Sequence, residues 1–263
     1  MDYDNIEFSI EAGVATLTLN RPKSLNSFTV AMHAEIRHAM REVQDNADIR
    51  CLVITGAGRG FCAGQDLGDR ASAGEGDVPD VGASVEKNYN PLISSIMNLP
   101  KPVICAVNGV AAGAGASLAL ACDIVLAARS ASFIQVFCKI GLIPDSGGTW
   151  NLPRAVGLAR AKGLAMLGDR LPAETAEAWG MIWKCVDDDA LQQEAQKMAR
   201  HFATQPTRAL GRIKKLLHES ISNTLPGQLV LEQKAMHELG QSDDYREGVA
   251  AFLEKREPVF KGQ

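Results

Sequence analysis

The chain has no CxxC pair, no HExxH and no other close grouping of histidine with cysteine, although its 263 residues include six cysteines and five histidines. No metal centre is expected from such spacing. The cysteines, at 51, 62, 105, 122, 138 and 185, stand apart, several within apolar runs, which suits buried reduced thiols of a cytosolic protein. Basic runs are missing as well. Nothing exceeds the pair Lys214-Lys215 and the net charge is −4, so no nucleic-acid partner is expected. No apolar stretch reaches the roughly 20 residues that span a bilayer, so no membrane partner is expected either. Met1 to Ile10 carries acids and no apolar core, and the expected location is cytoplasmic.

What is present is an ordinary globular composition, 46% hydrophobic and 22% charged. At this length it supports one large domain or a core with an extension. Residues 6–10 and 14–19 alternate around Gly13 and read as a hairpin of two half-buried strands. A helix is predicted from Thr29 to Val43, with Met32, Ile36, Met40 and Val43 on one face. Cys51 to Thr55, Val103 to Val107 and Ile124 to Ala128 are apolar β-runs of the kind buried on both faces. Residues 56–69 and 109–115 read as glycine-rich loops, and 71–82 as a mobile stretch before a helix over Ser84 to Met97. From Gly157 onward the pattern is helix without strand. The whole is an α/β core over residues 1–200 with a helical part over 201–263.

Two segments suggest chemistry. Gly58 to Leu67 and Asn108 to Ser117 each follow a buried strand, and the second opens a helix. Small residues there let a ligand approach bare main chain. N–H groups at a helix start attract negative charge, and two of them can stabilise an enolate oxygen. Gly113-Ala114-Gly115 resembles a dinucleotide turn only weakly, because the next strand ends Ala127-Ala128-Arg129 without an acid to hold a ribose. Tight packing of helix on strand would use the same small residues.

Taken together, several motifs closely resemble the crotonase (enoyl-CoA hydratase/isomerase) family. They are Asn20-Arg21-Pro22 with Leu25-Asn26, Ala63-Gly64-Gln65-Asp66-Leu67, Lys101-Pro102-Val103-Ile104 running into Asn108-Gly109, Gly141-Leu142-Ile143-Pro144, and Gly147-Gly148-Thr149 with Leu152-Pro153-Arg154. Cys122-Asp123-Ile124 and the end from Glu247 to Arg256 continue the match, so it covers essentially the whole chain. The resemblance implies a crotonase-like spiral of ββα units, a helical C-terminal trimerisation region giving a homotrimer or hexamer, and acyl-CoA thioester substrates. Coenzyme A then enters as part of the substrate, with no other cofactor. The resemblance puts an oxyanion hole at the N–H groups of Gln65 and Ala114, beside Gly113. It puts coenzyme A contacts near Lys23, Ser24, Leu25, Ala63, Asp66 and Leu67.

The departures from the family pattern are informative. Water-adding members use two glutamates, and the resemblance puts Ser117 and Phe137 at those positions. Serine without a partner is a poor base and phenylalanine carries no proton. One acid remains, Asp145, where members that shift double bonds or attack rings keep an aspartate. On local grounds alone Asp145 would be a helix cap. A pocket with Phe133, Val136 and Phe137 would raise its pKa and suit it to moving protons. The expected activity is therefore acyl-CoA isomerisation, on a ring epoxide or an unsaturated acyl chain. The stretch 71–82 and the following helix would close over the acyl group. Two other readings stay open: a hydratase that uses Asp145 with a loosely held water, and a coenzyme A thioester-binding protein without turnover.

Overall fold

The computed structural model describes residues 3–68 and 80–262. The chain opens with β1 (Ile6–Glu11) and β2 (Val14–Leu19), an antiparallel hairpin in full register from Ile6–Leu19 to Glu11–Val14. Helix α1 (Val30–Asp45) follows, started by the Thr29 hydroxyl, which accepts from the Met32 N–H at 3.1 Å. It buries the expected face. Its carboxyl end is held by Lys101, whose Nζ donates to the carbonyls of Val43 and Asn46.

Three units then repeat one path. β3 (Cys51–Gly56) is followed by β4 (Gly60–Cys62), and β5 (Val103–Val107) by β6 (Val110–Ala112). β7 (Ile124–Ala128) is likewise followed by β8 (Ser132–Ile134). The first strand of each pair enters a sheet of order β1-β2-β3-β5-β7-β10. The second enters a four-stranded sheet of order β4-β6-β8-β9. Pairing from β2 to β10 and from β4 to β8 is parallel, so each unit needs a helical crossover to return the chain. The crossovers are α2 (Val81–Ser84) and α3 (Asn90–Asn98) between the first two units, and α4 (Ala114–Ala121) between the next two. The result is the expected spiral of ββα turns. Every residue of β3 and β5 is buried, as strands covered on both faces require.

After β8 come a 3-10 turn (Val136–Ile140), α5 (Gly148–Val156) and α6 (Leu158–Leu167). Then follow β9 (Arg170–Pro172), α7 (Ala173–Ala178), β10 (Lys184–Val186) and α8 (Leu191–Ala203). Helix α8 packs across β3, β5 and β7 and spans residue 200. α9 (Thr207–Ser220), α10 (Leu225–Leu239) and α11 (Asp243–Glu254) finish the chain.

Two expectations need correction. The region after Gly157 is not free of strand, since β9 pairs with β8 and β10 with β7. The glycine-rich segments are not wholly loop, since β4 and β6 lie within them. Three-residue strands are too short to leave a periodicity.

Candidate active site

The first glycine loop is clamped by main chain from the segment before α1. Ala63 N–H donates to Leu25 O (2.9 Å), Phe28 N–H to Gly64 O (2.7 Å) and Asp66 N–H to Phe28 O (3.0 Å). This is a parallel bridge between Phe28 and Gln65. In that pattern the Gln65 N–H faces away from Phe28. Gly64 has φ 88°, and a Cβ there would stand 2.9 Å from the Ala112 oxygen and 3.3 Å from the Ala114 nitrogen. Only glycine allows that contact. The peptide leading to Gln65 thus lies directly against the start of α4.

Ala114 is the first residue of α4, so its N–H has no partner within the helix. Among the described residues neither the Gln65 nor the Ala114 N–H donates to a protein acceptor. Gly113 is buried, and the Val136 Cγ2 and Phe137 ring come within 3.5 and 3.7 Å of where its Cβ would be. Phe137 is thereby an apolar wall beside the two donors.

Asp145 sits in the turn that enters α5. A Cβ on Gly148 would lie 2.7 Å from Ser117 Oγ, which sets this turn against α4 one helical turn beyond Ala114. Asp145 is half-buried; its main-chain oxygen accepts from Gly148 N–H (2.8 Å) and its Oδ1 from Ser146 Oγ (2.9 Å). The N-cap of α5 is Gly147, two residues past Asp145, and brings no side chain of its own to the helix start. Ser117 is fully buried and its Oγ has no hydrogen-bond partner among the described residues. Phe133 and Phe137 are buried, and Val136 is half-buried.

The residues expected to meet coenzyme A divide by exposure. Lys23 and Ser24 are exposed in a 3-10 turn, Pro22–Ser24, and Leu25 follows with φ 48°. Leu67 is exposed, and Ala63 is half-buried. The Asp66 carboxylate is engaged within the protein: it pairs with Arg21 (2.9 Å) and accepts from Ser27 Oγ (3.2 Å) and Gly68 N–H (3.1 Å). The expected closing stretch 71–82 lies outside the described residues as far as 79. Asp80 Oδ1 accepts from Ala83 N–H (2.9 Å) and starts α2.

Two supporting residues were not singled out from sequence. Asn26, fully buried at φ 57°, donates through Nδ2 to Ala57 O, Gly60 O and Phe61 O and accepts from Arg21 N–H. It ties the turn carrying Lys23 to the end of β4. Tyr89 donates to Gln65 Oε1. Each is a letter within the family likeness, with no role read for it from the sequence. Cys62 lies between these elements with its Sγ on Asn26 O (3.2 Å), and burial pushes its thiol up to about 12, so it is no nucleophile. Among the described residues no group of three His, Cys, Asp or Glu side chains could hold a metal ion, and no helix is long and apolar enough to cross a membrane.

Residues 9–263 match the family model described as enoyl-CoA hydratase/isomerase. The chain is 59% identical over 254 residues to the 1,2-epoxyphenylacetyl-CoA isomerase of Escherichia coli (strain K12), covering 97% of each protein. It is 47% identical over 263 residues to a Rhodobacter capsulatus protein named "Probable enoyl-CoA hydratase", covering 100% of both. The crystal structure of an enoyl-CoA hydratase from Bacillus anthracis superposes with a TM-score of 0.93 at 34% identity, over 99% of this chain and 100% of that one.

Proposed function

The chain belongs to the enoyl-CoA hydratase/isomerase family, and from that premise we propose that it is an acyl-CoA isomerase of the cytoplasm acting on 1,2-epoxyphenylacetyl-CoA, converting it to the oxepin thioester. It also shifts double bonds in unsaturated acyl-CoAs. The observation that carries this reading is the pair of open N–H groups on Gln65 and Ala114, with one carboxylate and no second acid on the neighbouring turn. The 59% identity to an isomerase of that name supports the choice of substrate.

The thioester oxygen sits between the two N–H groups. They draw electron density from the carbonyl and stabilise the enolate, which makes the C2–H acidic. In a 3-enoyl chain Asp145 takes the C2 proton, the electron pair moves through the enolate to form the C2–C3 double bond, and Asp145 returns the proton to C4. The product has the same atoms as the substrate. The thioester is the electron sink, and no further cofactor takes part. Lys23, Ser24, Leu25, Ala63 and Leu67 line the approach of coenzyme A, and Asp66 acts on it indirectly by bracing Arg21. Ser117 and Phe137 offer no acid or base for activating water. Incubation with 1,2-epoxyphenylacetyl-CoA and a panel of enoyl-CoAs, followed by mass and NMR analysis, tests this. Isomers of unchanged mass are expected; hydroxyacyl products as the main species would overturn it.

The assembly is a homotrimer or a pair of trimers. Helix α9 buries Thr207, Gly211 and Lys214 while Ile213, Leu217 and Ile221 are each at least half exposed. A cleft of about 970 Å³ bordered by α10 and α11 includes Met236 and Phe252, which are 70% and 82% exposed. Such apolar faces mark protein contacts. Sedimentation is expected to show a trimer or larger; a stable monomer at micromolar concentration would contradict this.

A further inference from the structure

One helical segment joins the two halves of the candidate site. It runs from α2 to α3, and between them Val85–Tyr89 forms a π-helical turn. Such turns re-aim the side chains around them and recur at functional sites. Tyr89 closes this one. Its ring is 2% exposed, edge-on to Phe28 with centroids 5.8 Å apart, and 4.4 Å from the His33 ring. Its hydroxyl donates to Gln65 Oε1. The other end of that amide is also held, since Gln65 Nε2 donates to Phe28 O (3.3 Å) and Asp66 O (3.1 Å). One turn further along, Ile93 reaches to 3.4 Å from where a Gly147 Cβ would be, under the turn that carries Asp145.

The side chain gives the Gln65 peptide a second hold beside its main-chain one. The residue before it is Gly64, at φ 88°, where the main chain resists rotation least. The Phe28 N–H holds Gly64 O (2.7 Å), the far end of the same planar peptide, and so aims the Gln65 N–H outward, but this single bond leaves the peptide able to tilt about it. An oxyanion donor works only if it already points at the developing charge.

We propose that Tyr89 is a positioning residue for the carbonyl half of the site: by holding the Gln65 side-chain amide it steadies, against tilting, the Gln65 N–H that the Phe28 bridge aims beside that of Ala114. The inference rests on the reading of these two N–H groups as the oxyanion site. Through Ile93 the same helix fixes the spacing between that site and the Asp145 turn.

Tyr89→Phe keeps the ring and its packing and removes the hydroxyl. The probe is cinnamoyl-CoA, whose absorbance moves to longer wavelength when its carbonyl is polarised. Wild type is expected to give a red shift on binding, and Tyr89→Phe a smaller one. Turnover of a 3-enoyl-CoA is expected to fall about 10- to 100-fold, with KM changed by less than about threefold. A tyrosine that merely satisfies its own buried hydroxyl would lower the melting temperature and leave the red shift and kcat alone. Gln65→Leu cuts the same bond from the other side, and carries the same readouts if Tyr89→Phe folds poorly. The double variant is expected to be no slower than the slower single variant. A full red shift with kcat within about twofold of wild type, or additive losses in the double variant, overturns the proposal. Wild type with no red shift would overturn the oxyanion reading itself, and this inference with it.

Discussion

Replacing Asp145 by asparagine separates chemistry from architecture. The substitution is nearly isosteric. Helix α5 takes its N-cap from Gly147, and an asparagine at 145 keeps an oxygen that can accept from the helix start as the carboxylate can. The main-chain bond from Gly148 N–H to Asp145 O (2.8 Å) survives, and an amide oxygen can still accept from Ser146 Oγ. The melting temperature is therefore expected to stay within about 2 °C of wild type, a shift of no more than about 1 kcal/mol. Asparagine cannot take a proton near neutral pH. Loss of a general base removes about 10²–10⁴-fold of rate, roughly 3–5 kcal/mol of barrier. Acyl-CoA affinity should barely change, because the Gln65 and Ala114 donors are main chain. Asp66→Asn is the control. It weakens the pairing with Arg21 at the coenzyme A turn, and so should alter affinity more than turnover. The assay is double-bond migration in a 3-enoyl-CoA, with melting curves alongside. Near-wild-type turnover by folded Asp145→Asn would refute the reasoning.

Gly115→Ala tests the approach of the first loop to α4. Helix propensity alone favours alanine by about 1 kcal/mol, yet a Cβ there would lie 2.3 Å from Cys62 O. We expect destabilisation of about 1–3 kcal/mol in urea melts, as for other overpacked sites, and a loss of turnover as the two donors separate; a stabilised, active variant would contradict it. His33 gives a pH signature. It is buried against Phe28 and Tyr89 with neither ring nitrogen hydrogen-bonded among the described residues, and burial, helped by the Arg37 charge, lowers its pKa from 6.5 to about 4. The folded state therefore binds this proton more weakly than the unfolded state. The associated stability is fully present above pH 6.5 and is lost as pH falls from 6.5 to about 4, roughly 3 kcal/mol in all. His33→Phe is expected to flatten that part of the pH–stability curve; an unchanged slope would show that His33 does not carry it.

The long buried strands and α1 were readable because five or more residues of one pattern leave a period. The spiral was readable only through its motifs, because its second sheet is made of three-residue strands such as Gly60–Cys62 and Val110–Ala112. Gln65, Ala114 and Asp145 were legible by family likeness, and the geometry around them follows from local rules: a helix start, a left-handed glycine, a turn. The role of Tyr89 was not, because its bond to Gln65 spans 24 residues and depends on a π-helical turn that no pattern announces. Asn26 was visible as a letter in a motif, but its role needs the carbonyls of Gly60 and Phe61, over 30 residues away. The helical character of 201–263 was legible, and with it the apolar spacing of Leu210, Ile213, Leu216, Leu217 and Ile221. That α9 turns its exposed edge outward and buries Lys214 instead required the Asp123 partner at 3.0 Å.

The most direct test of the central claim is the ratio of two rates on one enzyme sample. Double-bond migration in a 3-enoyl-CoA is followed by the gain of conjugated absorbance, and hydration of crotonyl-CoA by its loss. With Ser117 and Phe137 where two carboxylates would be needed, isomerisation is expected to exceed hydration by at least about 10²-fold, the contribution of even one general acid or base. Hydration of crotonyl-CoA at a rate matching isomerisation would contradict the account.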